Sequence, residues 1–276
     1  MQTETLIRRE KDIEERAIPH LRDLYDLTGK VALITGGAGQ LAHQFAEGLS
    51  EAGAEIILTD IKGDGLAERK REFKQKGVDV SYYPAALTDP KAIYDMFRSI
   101  RENYGHLDIL INNGGMTYFT PLEEMTHEQF SEVIEVHLKG SFMMVKNALP
   151  LMKKRGGVII NIGSIYGMVG ADQSIYADSG INSSVAYAAA KGGMINFTRY
   201  LASYLGEYNI RVNCISPGGF YAGQDDEFVR RYCNKTPLGR MGDSYDLKAV
   251  GVFLASDAAK YITGVNLPVD GGWTAR

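Results

Sequence analysis

Short apolar runs rich in β-branched residues alternate along the chain with longer segments of helical spacing. Val31–Thr35 (VALIT) leads into glycines, and QLAHQFAEGLSEAG then places apolar residues three and four apart before Gly53. EIILTD (Glu55–Asp60) predicts a second strand, and a charged helix over about 64–76 stops at Gly77. VDVSYYPA is a weaker strand, followed by a helix from about Pro90 to Tyr104 and the strand LDILINN. A helix near 127–138 is expected to bend at Gly140 and continue to about Lys154. GVIINIGS, a helix over 185–207, IRVNCIS, a helix near 245–256 and GVNLPVD complete the series. Length and β-branched content decide strand against buried helix, because periodicity alone does not for runs this short. Such alternation predicts an α/β fold, a doubly wound parallel sheet of about seven strands covered on both faces. No Pro/Gly/Ser-rich linker divides it, so residues 28–276 are read as one domain. Residues 1–27 are a charged extension with sparse apolar positions (Leu6, Ile13, Leu21, Leu24). A helix is expected there, either packed on the body or a partner subunit, or solvated.

Composition narrows the function classes. The 276 residues are 45% hydrophobic and 23% charged, with a formal charge of -4, so no basic footprint for nucleic acid is present. Two cysteines, Cys214 and Cys233, form no CxxC and no zinc spacing, which fits a reducing, cytoplasmic setting without a metal. Acidic residues interrupt the N-terminal segment throughout, so it does not read as a signal peptide. No apolar run reaches membrane-spanning length.

TGGAGQLA (Thr35–Ala42) stands between the first strand and the first helix, the context a dinucleotide fingerprint requires. Gly37, Gly39 and Ala42 fit G-x-G-x-x-G/A, a Rossmann-type loop whose backbone amides and helix N-terminus face a pyrophosphate. Gly36, Gln40 and Leu41 complete the expected cofactor loop. Asp60 ends the second strand 21 residues after Gly39, where a carboxylate holds ribose hydroxyls and repels a 2′-phosphate. No arginine stands in the loop, although Lys62 is near, so NAD is expected over NADP. Further on, VAYAAAKGGMINF puts Tyr187 and Lys191 four residues apart, one turn of helix. Taken alone, that segment also reads as an amphipathic helix with Lys191 stretching to water.

Five features in order resemble the short-chain dehydrogenase/reductase family: TGGAGQLA, NNGG (Asn112–Gly115), INIGS ending at Ser164, Tyr187-x-x-x-Lys191 and SPGG (Ser216–Gly219). The likeness runs from about Leu27 to Arg276. It implies strand order 3-2-1-4-5-6-7, Tyr187 as the acid/base, Ser164 orienting the substrate oxygen and Lys191 tuning Tyr187 and holding the nicotinamide ribose. It also implies Asn112, Asn113 and Gly114 on the adenosine side and Pro217 and Gly218 along the nicotinamide. Free tyrosine has a pKa near ~10, and a nearby cation favours its phenolate. Homo-oligomers, tetramer or dimer, are usual for the family.

Departures from the family pattern are also legible. Gln40 and Ala42 stand at two usual glycine positions, and Ala86 where an adenine-contacting Asp is common. His137 replaces the Asn that helps hold a relay water. It either serves the relay, with an ordinary pKa near neutrality, or is a structural histidine at a helix kink. Ser164 and Tyr187 are 23 residues apart, nearly twice the usual family spacing. The polar insert within 166–184 is expected to loop out beside the site, toward a hydroxylated substrate, the surface or a neighbouring subunit. Arg230, Arg231 or Lys235, in the family's lid region, could meet a carboxylate or phosphate, or be solvated. The insert and the chain after SPGG resemble sugar, sugar-acid and polyol members, gluconate 5-dehydrogenase-like. The expected reaction is therefore secondary alcohol to ketone on such a small hydroxyl or keto substrate. A 3-oxoacyl-carrier-protein-type reductase and a cofactor-binding regulator without turnover are the alternatives.

Overall fold

The structure, a computed structural model, describes residues 18–176 and 182–275. Seven parallel strands form one sheet in the order β3-β2-β1-β4-β5-β6-β7. They are β1 (Val31–Thr35), β2 (Glu55–Asp60), β3 (Val80–Pro84), β4 (Ile109–Asn112), β5 (Gly157–Ile162), β6 (Ile210–Pro217) and β7 (Asn266–Val269). The order is the one implied above. The chain turns back between β3 and β4, leaving a crevice beyond the carboxyl ends of β1 and β4, where open α/β sheets bind ligands.

The helices are α1 (Gln40–Glu51), α2 (Gly63–Gln75), α3 (Pro90–Tyr104), α4 (His127–Ile134), α5 (Gly140–Met152), α6 (Val185–Leu205), α7 (Asp226–Lys235) and α8 (Lys248–Ala255). Alternation along β1 assigns its side chains to two cores. Ala32 and Ile34 join Phe45 of α1 and Leu254 of α8, while Val31 and Leu33 join Ile93, Phe97 and Ile100 of α3 and Met144 of α5. Gly251 lets α8 close on α1, since a Cβ there would lie 2.6 Å from the Phe45 ring. Truncating Phe45 to alanine would cost about 3–5 kcal/mol.

Local signals set the helix ends. Asp89 caps α3 by accepting from Lys91 and Ala92 backbone N–H groups, Pro90 supplies the first turn, and Gly105 at φ 73° closes it. Thr126 and Gln129 form a capping box on α4. Just before Gly140, where a bend is expected, the helix instead passes through a π-helical turn over Glu135–Lys139 centred on His137. The one residue gained per π turn re-aims the chain, a device common at functional sites. Of the N-terminal extension, the described part holds a single 3-10 turn, Asp23–Tyr25, and the buried Leu27. The remaining positions of that expected helix lie outside the described residues.

Candidate active site

The cofactor cradle is two loops pressed together. Gly36 adopts φ +65°, and a Cβ there would sit 2.8 Å from Gly114 Cα, so the approach needs glycine. The Thr35 hydroxyl accepts from the N–H groups of Asn113 (2.9 Å) and Gly114 (2.7 Å), and the Asn113 amide donates to Thr35 O at 2.9 Å. Gly39 is the N-cap of α1, which aims that helix's free amides at the loop. Asp60 accepts from Ala38 N at 3.2 Å and Lys62 N at 3.0 Å. Turn amides for a pyrophosphate and a carboxylate for ribose hydroxyls fit a nicotinamide dinucleotide. Gln40 donates to Tyr221 O at 2.9 Å, tying the loop to the chain after β6. Sequence reading missed Arg69, which reaches the loop from α2, donates to Ala38 O at 3.2 Å and pairs with Glu72. Asn112, placed beside adenosine by resemblance, is instead buried within the sheet, donating to Asn161 at 2.8 Å, which donates to Thr198 at 2.9 Å.

Ser164, Tyr187 and Lys191 meet beyond the ends of β5 and β6. Ser164 follows β5 and stands with Tyr187 on the wall of both cavities of the crevice. Ser184 caps α6 by accepting from Tyr187 N at 3.3 Å, fixing the first turn that carries the tyrosine. Gly167 lets the chain after Ser164 lie on that helix, since a Cβ there would be 2.6 Å from Lys191 C. Lys191 is buried, donates to Ile162 O at 2.7 Å and lies 5.4 Å from the Tyr187 ring centre. Burial lowers its pKa to about 8, so it stays largely cationic at neutral pH. Burial pushes Tyr187 above its ordinary value, against the smaller lowering effect of Ser164. The lowering of Tyr187 by Lys191 implied by the resemblance does not act in the chain by itself, where desolvation dominates and Ser164 is the group that lowers the phenol.

His137 is buried in the π turn, with its ring edge-on to Tyr187 at 5.5 Å. Its Nε2 faces Met116 O at 2.8 Å and Met116 N at 3.2 Å, while buried Nδ1 has no partner. Burial first, then Lys191, lowers its pKa to about 3, so the near-neutral titration expected from sequence gives way to a fixed neutral imidazole. Gly115 lies directly against it, for a Cβ there would fall 2.2 Å from the imidazole Cε1.

Two cavities share Thr117, Ser164, Tyr187 and Gly218 as a common wall. The cofactor side, about 290 Å³, is lined by Leu41, Asn113, His137, Lys191 and Pro217 among others. The other, about 320 Å³, is lined by the insert and α7, including Tyr166, Tyr176, Asn182, Gln224 and Phe228. The insert thus lies beside the site, as expected, and residues 177–181 of it lie outside the described residues. What sequence reading missed is its union with α7. Tyr166 and Tyr176 share a 2.5 Å hydrogen bond, Tyr176 packs 5.5 Å from Phe228, and Lys235 pairs with Asp172 at 2.8 Å. Arg230 and Arg231 both bond Glu227. Among the described residues no metal-ligating cluster occurs, and no helix is long and apolar enough to cross a membrane.

A glycine cradle, a carboxylate at the end of β2 and a Ser-Tyr-Lys set on one crevice define a nicotinamide-type oxidoreductase. Residues 36–274 match the family model described as Enoyl-(Acyl carrier protein) reductase, and the chain belongs to the short-chain dehydrogenase/reductase family. It is 34% identical to a 3-oxoacyl-[acyl-carrier-protein] reductase of Chlamydia trachomatis over 89% of this chain and 98% of that one. A solved short-chain dehydrogenase of Leptospira borgpetersenii with bound NAD+ is 40% identical, with TM-score 0.80 over 94% of this chain and 98% of that one. A gluconate 5-dehydrogenase of Burkholderia cenocepacia, solved with NADP and tartrate, is 29% identical, with TM-score 0.85 over 93% of this chain and all of that one.

Proposed function

We propose that the protein interconverts a secondary alcohol and a ketone by hydride transfer, with NAD in preference to NADP, on a sugar, sugar acid or polyol. The observation that carries this is the meeting of Ser164 and Tyr187 on the wall between the two cavities, with Lys191 beside them on the cofactor side. Bound nicotinamide supplies the hydride acceptor or donor. The Ser164 hydroxyl orients the reacting oxygen, and the Tyr187 phenol takes or gives its proton. Lys191, cationic and tethered to Ile162 O, holds the ribose and favours the phenolate as it forms. His137 serves the proton relay as a neutral hydrogen-bonding group beside Tyr187 rather than as a titrating one. Asp60 supports NAD, since a 2′-phosphate would face its carboxylate.

A screen of sugars, aldonates and polyols with NAD and NADP, read at the NADH absorbance, tests the reading. Turnover lost in Tyr187→Phe is the expected result. NADH binding without turnover on any candidate would leave a regulator instead. The acyl-carrier reductase reading is kept by the 34% identical relative, and reduction of a 3-oxoacyl thioester faster than any sugar-type ketone would establish it. A cytoplasmic homo-oligomer, dimer or tetramer, belongs to the same proposal and is checked by light scattering.

A further inference from the structure

The cavity between the insert and α7 has a distinct chemical character. Two of its hydroxyls are linked, Tyr166 to Tyr176 at 2.5 Å, and Ser183 adds another to the lining. Phe119 and Phe228 add aromatic faces, and Asn182 adds an amide. Among the described residues lining it there is no charged side chain. Residues 177–181, Ala-Asp-Ser-Gly-Ile in sequence, contain no Lys, Arg or His. The cations nearest in sequence are engaged with carboxylates: Arg230 and Arg231 bond Glu227, and Lys235 bonds Asp172. Lys191 lines the cofactor-side cavity and points its ammonium at Ile162 O. The charges that act on the cavity's phenols are Asp172 on Tyr166 and Asp270 on Tyr232, both carboxylates.

An anion entering such a cavity would shed water without meeting a cationic side chain of the described lining, the unfavourable case for a buried charge. A hydroxyl has no such difficulty, because a phenol pair can donate to it and accept from it. Burial holds Tyr166 and Tyr176 above the ordinary phenol value, so both stay neutral and keep that dual capacity. Aromatic faces suit the C–H surface of a polyol or sugar.

We propose that this cavity, through the Tyr166–Tyr176 hydroxyl pair, selects an uncharged polyol or neutral sugar and rejects sugar acids and phosphate esters. The inference rests on the alcohol/ketone reading above and narrows its substrate class.

The test uses matched pairs differing only in a terminal CH2OH or carboxylate: xylitol against D-xylonate and D-glucitol against D-gluconate, each with NAD and NADP. The neutral member should have kcat/KM higher by about 100-fold. Tyr166→Phe should raise KM for it about tenfold with kcat within about twofold, the mark of lost binding rather than lost chemistry. Oxidation favouring the aldonate would overturn the inference and leave the dehydrogenase reading intact, as would an unchanged KM in Tyr166→Phe. If no pair turns over, calorimetry of the same ligands on the NADH-loaded protein separates the two. Binding of the neutral members alone would support the selective cavity while removing the dehydrogenase reading for this class. Binding of the aldonates alone, or of neither member, would overturn the inference.

Discussion

Around the glycine cradle the chain is held by main-chain contact and by side chains that clamp backbone groups, and around the Tyr166–Tyr176 pair it is held by side chains on side chains. In the cradle, Gly36 and Gly114 touch through main-chain atoms and the Thr35 hydroxyl clamps two amides. The strands beneath are packed on both faces by the large cores. On the other side, a smaller cluster joins Ile175, Tyr176, Phe228, Tyr232 and Trp273, with Tyr232 stacked 4.6 Å from Trp273. That cluster links the insert to α7 without any strand pairing. A backbone-built site tolerates little change and binds what every relative must bind. A side-chain-built site can be recut by exchanging a few residues, which suits the part that chooses a substrate.

The sharpest break of this contrast is at their shared wall. Tyr187→Phe should lower kcat about 10³-fold, within the range for a lost general acid/base, while NADH affinity measured by fluorescence stays within about threefold. Gly36→Val attacks the cradle alone. Strain of about 2–3 kcal/mol at a positive φ should weaken NADH binding by about 30- to 160-fold, read by titration, and leave the Tyr166–Tyr176 side folded. Next comes His137. Its pKa is lowered to about 3, so between that pH and the ordinary 6.5 the unfolded chain binds the proton that the folded one refuses. Stability from this group therefore rises with pH across that window and levels off above it. Between pH 5 and 6.5, His137→Asn should flatten the rise by about 2 kcal/mol in urea unfolding. Asp60→Ala should shift the ratio of kcat/KM for NAD over NADP by about tenfold toward NADP. The smallest effect is expected from Lys235→Ala, which cuts the half-exposed pair with Asp172. Stability should move by less than about 1 kcal/mol in thermal melts, while substrate KM rises about twofold if the pair steadies α7 against the insert.

The same division explains what could be read from the chain alone. Strands such as EIILTD and helices such as 90–104 carry their signals locally, and both appear where expected. The glycine loop, Asp60 and the Tyr187–Lys191 spacing are local too, since one turn of helix or one strand end fixes each relation. Arg69 at the Ala38 carbonyl was not legible, because 31 residues separate the two and only the packing of α2 brings them together. The Tyr166–Tyr176 pair was hidden for the same reason, as no period marks two tyrosines in an irregular insert. The state of His137 was misjudged because an ordinary pKa presumes water, and burial in the π turn removes it.

Gly115 and His137 have a consequence for how this chain can change. With a Cβ at 115 falling 2.2 Å from the imidazole Cε1, no side chain larger than hydrogen coexists with that ring. Moving the ring aside would break its hydrogen bond to Met116 and its edge-on packing against Tyr187. Substitution here is therefore ordered: a smaller residue must replace His137 before position 115 can become alanine, and the reverse order passes through a damaged protein.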